Sequence, residues 1–228
     1  MTELQFQKLS ADLRKLAKVI PLHWGAVQNN RIDDKINMFS IDSYEALETA
    51  VSRLSADDAN YLRRRWYIWK CSECDEYLFY KNINVEKNPN RYDKSWDIRI
   101  NNQLAFDVKG TVIPYSMRTN ANAVIEDPSA MIRFFYEEQS KGRRFDMQNR
   151  LFIVHHSFTN NKEELYLRCA WEAKEKAYKE FVEKIDRIKI YDYAGCKAVV
   201  VFVLEINGAI QIDFKPFNLM FGPVYYKH

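Results

Sequence analysis

No run of this chain is long and apolar enough to cross a bilayer as a helix. The opening residues, Met-Thr-Glu-Leu-Gln-Phe, lack the apolar core of a secretory leader. A soluble, cytoplasmic protein with no membrane partner is therefore expected. Cysteine is scarce, with four residues: Cys71, Cys74, Cys169 and Cys196. Cys71-x-x-Cys74 has the spacing of a zinc or iron–sulfur pair, but no second close pair accompanies it and it falls inside a predicted helix. Packed, reduced thiols are the expectation. Charge of one sign is scarce too. A formal net charge of +3 permits a nucleic-acid partner without arguing for one. Repeats and low-complexity linkers are absent, so 228 residues read as one domain with a small appendage.

What is present is apolar. Hydrophobic residues make up 47% of the chain, with 14 Tyr, 14 Phe and 5 Trp, ample material for a core. The most informative segment is Trp96 to Gly110. Trp96, Ile98 and Ile100 alternate with Asp97 and Arg99, and Leu104, Phe106 and Val108 alternate with Ala105, Asp107 and Lys109. Period-two alternation predicts two half-buried strands. Asn101-Asn102-Gln103 lies between them, and Asn tolerates the left-handed backbone that a three-residue hairpin loop needs. Parity fixes the loop length. With three loop residues, Ile100 pairs with Leu104, Ile98 with Phe106, and Asp97 faces Asp107, so all apolar side chains share one face. A two-residue loop would set Asp97 against Phe106 and mix the faces. Opposed carboxylates repel unless something compensates them. Lys109, two residues beyond Asp107 on the same face, offsets part of this. A divalent cation would offset more, and oxygen-only ligands favour magnesium over zinc. The bland alternative is an exposed hairpin carrying an ordinary surface ion pair.

Ser55-Ala-Asp-Asp58 reads as a helix start, with Ser55 as N-cap and the helix running to about Lys81. Its apolar stripe is Leu62, Trp66, Trp69, Tyr77 and Tyr80. Glu73 is four residues from both Trp69 and Tyr77 and so falls on the expected buried face, with Glu76 close to it. A core-facing carboxylate is costly unless paired or ligating. Lys70 and the Arg63-Arg64-Arg65 run offer a plain ion-pair explanation, especially for Glu76. Glu73 is the preferred candidate. A first strand is predicted at Ile83–Val85.

The order helix with Glu, strand, strand with Asp97, strand with Asp107-Val108-Lys109, then helix resembles the PD-(D/E)xK nuclease superfamily, the restriction-endonuclease-like fold. The resemblance covers roughly residues 55 to 160, with Trp96 where the family pattern has proline. It implies that Asp97, Asp107 and Glu73 bind Mg2+ (with Mn2+ able to substitute) and that Lys109 orients or activates the attacking water. It also implies a magnesium-dependent endonuclease hydrolysing phosphodiester bonds in DNA, with a restriction-type enzyme the natural role for so compact a chain. Arg118, in a loop beside the proposed site, and Arg143 and Arg144 then become candidate phosphate contacts. A homodimer would suit the cutting of both strands. The alternative is a nuclease-fold protein that binds nucleic acid without cleaving it.

Elsewhere, Leu4–Val19 and Ser43–Leu54 are predicted helices, giving an N-terminal helical extension (1–54) before a nuclease-like core (55–228). Thr111–Glu126 reads as a long irregular loop, and Asp127-Pro128 as the start of a helix. Leu151–Val154 is a continuous apolar run suited to a central strand. His155-His156 at its end read as structural, because no nucleophile partner is evident. Leu165 to about Ile188 reads as one long amphipathic helix. Ala198–Ile206 and Ala209–Phe214 form a predicted hairpin across Asn207-Gly208. The expected fold is α/β, a mixed central β-sheet flanked by helices.

Overall fold

The computed structural model describes residues 1–22, 30–90, 93, 95–138, 148–160, 164–214 and 224–226. Its contacts gather into two compact units, Met1–Tyr77 and Leu78–His228. The sequence reading placed a boundary at 54/55, whereas these units divide inside a helix. No helix among the described residues is long and apolar enough to cross a membrane.

The first unit is helical. Helix α1 (Glu3–Val19) starts on a capping box, in which the Thr2 side chain accepts from Gln5 N–H and the Gln5 side chain answers the Thr2 N–H. Helix α2 (Tyr44–Val51) is capped by Ser43. Helix α3 (Ala56–Tyr80) begins where the Ser55 hydroxyl accepts from the Asp58 N–H at 3.2 Å. Phe6 stacks on Tyr77 at 5.0 Å, the Tyr77 hydroxyl donates to Glu3 at 2.8 Å, and the Trp66 indole donates to the Ile41 carbonyl at 2.9 Å. Along α3, the buried residues Trp66, Tyr67, Lys70, Cys71, Cys74, Asp75 and Tyr77 share one broad face, turned away from the half-buried Trp69 and Glu73. Cys71, Cys74 and Cys196 are buried.

The second unit is α/β, a mixed sheet flanked by helices. Its strands are β1 (Val85–Lys87), β2 (Ile98–Ile100), β3 (Leu104–Val112), β4 (Arg150–Ser157), β5 (Tyr191–Tyr193), β6 (Cys196–Ile206), β7 (Ala209–Asp213) and β8 (Val224–Tyr226). The spatial order is β1-β2-β3-β4-β6-β7-β8, with β5 pairing alongside β6. β3, β4 and β6 are parallel and the remaining pairings antiparallel. Every residue of β4 is buried, as expected for a strand covered on both faces.

Helices α4 (Ala121–Glu126) and α5 (Ser129–Glu137) cover one face. Met131, Ile132 and Phe135 pack there with Phe152, Val154, Val200 and Phe202, and the Phe135 and Phe152 rings are 5.0 Å apart. Helix α6 (Trp171–Glu183) covers the other. Residues of opposite parity face it: His155 feels the charges of Lys174 and Arg168, and Arg168 Nη2 donates to the Gly110 carbonyl at 2.9 Å. Each fully buried Phe on these faces contributes about 1.5–3 kcal/mol of transfer free energy.

Two expectations change here. The predicted loop Thr111–Glu126 contains a 3-10 turn (Tyr115–Asn120) running into α4, with Ala121, Val124 and Ile125 buried on the sheet. The predicted long helix 165–188 is instead a 3-10 turn (Tyr166–Cys169), then α6, then a second 3-10 turn (Ile185–Arg187). In the second segment packing wins over periodicity, because the chain bends at both ends of α6 while Trp171, Ala177, Tyr178 and Phe181 stay buried. The two predicted hairpins hold. Asn101 and Asn102 have φ of 52° and 56°, and Asn207 and Gly208 have 52° and 81°.

The left-handed pair at Asn101-Asn102 gives a direct check. Asn102→Val puts a β-branched side chain where φ is 56° and is expected to cost about 1–2 kcal/mol. Asn102→Gly is expected to be neutral or slightly stabilising, because glycine adopts this backbone freely. Urea unfolding followed by tryptophan fluorescence measures both.

Candidate active site

The site is built on the β2–β3 hairpin and the start of β4, all within the second unit. The register is the one parity demanded: Ile98 pairs with Phe106, Arg99 with Ala105 and Ile100 with Leu104. One residue before the strand, the ladder shifts. Asp97 N–H donates to the Phe106 carbonyl at 2.8 Å, and Asp107 N–H turns to the Asn149 carbonyl at 3.0 Å. The Val108 N–H is then satisfied by the Asp97 side chain, whose Oδ2 accepts it at 2.7 Å. This bond fixes the carboxyl of Asp97 beside β3.

The approach to Asp97 is also fixed. Asn88 is buried, and its N–H donates to the Asp97 carbonyl at 3.0 Å while its side-chain amide donates to the Trp96 carbonyl at 2.9 Å and to Asp93 at 3.0 Å. Asp93 in turn accepts from the backbone and hydroxyl of Ser95.

Asp107 is 6% exposed. Lys109 Nζ forms an ion pair with its Oδ1. Arg150 Nε lies 3.5 Å from its Oδ2, a charge contact rather than a hydrogen bond. The Arg150 guanidinium sits 4.7 Å from the centre of the Tyr136 ring, whose hydroxyl donates to the Gln148 carbonyl at 2.8 Å. Burial pushes the Tyr136 phenol far above its ordinary range. Burial first, and then the charge of Asp107, raise the Asp97 carboxyl above its ordinary value, against the opposing pull of Lys109 and the Val108 N–H.

The other sequence candidates have different surroundings. Glu73 belongs to the first unit. It is half-buried rather than in the core, and its Oε2 takes Lys70 Nζ at 2.8 Å, so the ion-pair explanation raised for Glu76 applies to Glu73. Glu76 is half-buried on the same helix. Arg118 Nη2 is held by Glu164 at 2.5 Å and its Nε by the Ile113 carbonyl at 3.1 Å. Arg143 and Arg144 lie outside the described residues. In the sequence Arg150 stands with Lys141, Arg143 and Arg144 in a basic cluster near the turn into a later strand. Its signal was a charge flush against the buried run Leu151–Val154.

The chain matches no family model, no curated protein and no solved structure. The site therefore has to be read from its own chemistry. Among the described residues, no group of three or more His, Cys, Asp or Glu gathers to hold a metal ion. The Asp97–Asp107 pair offers two hard oxygen donors that already resist double ionisation. That suits a cation such as magnesium, which commonly takes one or two carboxylates and completes its shell with water and phosphate.

The raised Asp97 carboxyl makes a signed prediction. A folded-state value above the unfolded one means stability is fully present below the ordinary carboxylate range and falls as pH rises through the folded value. Asp97→Asn mimics the protonated form, so it is expected to be more stable than wild type at neutral pH, with the advantage closing near pH 4. Divalent cation should reverse the ranking. Magnesium or manganese at a hundredfold its Kd stabilises wild type by about 2.7 kcal/mol and leaves Asp97→Asn nearly unmoved. Chemical denaturation at both pH values, with and without cation, measures this.

Proposed function

We propose that the second unit carries a magnesium-dependent phosphodiesterase site that cuts DNA, on a sheet arranged like that of the restriction endonucleases. The observation that carries this reading is that the carboxyl of Asp97, just before β2, feels the charges of Asp107 and Lys109 on β3, with Lys109 ion-paired to Asp107. The element order supports it: a helix, β1, the strand led by Asp97, the strand of Asp107 and Lys109, then helices and the parallel strand β4.

The chemistry follows from the residues. Asp97 and Asp107 would be the residues to hold the cation, and their mutual repulsion would favour its uptake. When bound, the cation supplies charge against the phosphate and makes a nearby water a better nucleophile. Lys109 is over one-third exposed at its side chain, so its ammonium swings between Asp107 and an incoming phosphodiester. There it orients the water and offsets charge that grows in the transition state. Arg150, behind Asp107 and nearly inaccessible, positions that carboxylate rather than touching substrate.

A second reading has its own observation. Lys109 and Arg150 already balance Asp107 without any ion, as they would in a nuclease-fold protein that binds nucleic acid without cutting. Supercoiled plasmid with magnesium or manganese separates the two. Cleavage by wild type, reduced at least about a hundredfold in Asp107→Ala, is the expected result. DNA retention in a gel shift with no cleavage in either cation would replace the first reading with the second.

A further inference from the structure

The parallel strands have a second end, away from the acidic pair. The parallel pairing of β3 with β4 starts at Asp107 opposite Arg150 and ends at Val112 opposite His155, roughly 15–20 Å further along. Beyond that finish, a pocket of about 450 Å³ opens against the 3-10 turn and α4, lined by Arg118, Thr119, Asn120, Asn122, His156 and Phe158 among others. Crevices at the carboxyl ends of parallel strands are where open α/β sheets characteristically take ligands.

The wall of this pocket is organised by one buried carboxylate. Glu164 is 2% exposed, and its oxygens are both committed: Oε1 to His156 Nδ1 at 2.7 Å, Oε2 to Arg118 Nη2 at 2.5 Å. The Ile113 carbonyl takes Arg118 Nε at 3.1 Å, which fixes the guanidinium plane. His156 is itself 3% exposed, and with Nδ1 on Glu164 its Nε2 is the nitrogen left for the pocket. His155 next to it differs in kind, since it faces α6 with Nδ1 on the Thr111 carbonyl. The nine lining residues include no carboxylate. They present a held guanidinium, an imidazole, two carboxamides and hydroxyls, which is a donor set for phosphate oxygens. Phe158, 40% exposed and edge-on to His156 at 4.7 Å, adds an aromatic face.

We propose that this pocket is a ligand site, separate from the Asp97–Asp107 pair, for a phosphate monoester of nucleoside-monophosphate size, with Arg118 and His156 on the phosphate and Phe158 against the base. The volume lies within the range of small-molecule pockets. The phosphate belongs either to a free nucleotide or to the phosphorylated 5′ end of a nucleic acid.

Calorimetric titration of the full chain with adenosine 5′-monophosphate, and separately with inorganic phosphate, tests it. Binding of the nucleotide, tighter than phosphate, is expected. Arg118→Gln should weaken it at least about tenfold. Because that variant disturbs the Glu164 network, Asn122→Ala is the companion: it leaves the network intact and should still weaken binding severalfold. Asp107→Ala should leave nucleotide binding unchanged. Competition by a 5′-phosphorylated duplex would assign the phosphate to a nucleic-acid end, and competition by neither phosphorylated nor unphosphorylated duplex to the free nucleotide. The proposal is overturned if millimolar nucleotide produces no binding, or if binding survives both pocket variants and disappears in Asp107→Ala.

Discussion

Two carboxylates brought together by neighbouring strands set the terms for one end of the parallel sheet. Ionised groups at about 4 Å in a partly screened setting repel by roughly 4 kcal/mol, well beyond the roughly 0–1 kcal/mol an exposed ion pair returns. The hairpin cannot avoid the encounter, because its apolar residues fix the register of Ile98–Ile100 against Leu104–Phe106, and the next residue beyond that ladder is Asp97 on one side and Asp107 on the other. The structure meets this cost by several means at once. Asp97 holds a proton more tightly than an ordinary carboxyl, its Oδ2 accepts the Val108 N–H, and Lys109 and Arg150 gather on Asp107. Each compensation is partial. A site in this condition is poised to accept a cation, which is the physical basis for reading it as a phosphodiesterase centre.

The compensating groups divide into fixed and movable ones. Arg150 begins the fully buried strand β4 and rests on the ring of Tyr136, so its charge stays behind Asp107. Asn149 ties the same corner together, its carbonyl taking the Asp107 N–H and its side chain bridging the Ala105 carbonyl and the Lys197 N–H. Lys109 alone reaches toward solvent. A rigid base with one mobile cation is an arrangement that can exchange an internal partner for an external one. At the far end of the same strands the pattern is reversed. There one carboxylate, Glu164, is surrounded by Arg118 and His156, and the surface it supports is rich in donors.

Much of the hairpin was readable from residue order. Strict alternation gave the two strands, parity gave the three-residue loop, and the φ values of Asn101 and Asn102 are those the loop chemistry called for. The Asn207-Gly208 turn and the central strand after Arg150 were readable for the same reason. Local signals failed where one segment answers to several neighbours. Glu73 was assigned to a buried stripe traced through Trp69, but the buried face of α3 runs through Tyr67, Cys71, Cys74 and Asp75 and leaves Trp69 and Glu73 half-buried at its margin, a rotation that aromatic spacing alone could not show. The fully buried acid on that helix is Asp75. His155 and His156, adjacent in sequence, point to opposite faces of the sheet, and only one meets Glu164.

The sequence by itself determined the hairpin, its register and the pairing of two acids with a lysine, because a strand's two-residue period and the turn that joins it are properties of a dozen consecutive residues. The tertiary structure alone decided that Arg150 would stand behind Asp107, that the 3-10 turn would fold over the end of β4, and that Glu164 would join His156 to Arg118 across 8 and 46 residues of chain. Those encounters arise from parallel strands whose connections run through whole helices. Their partners are set by how the helices pack on the sheet, which no short stretch of residues encodes.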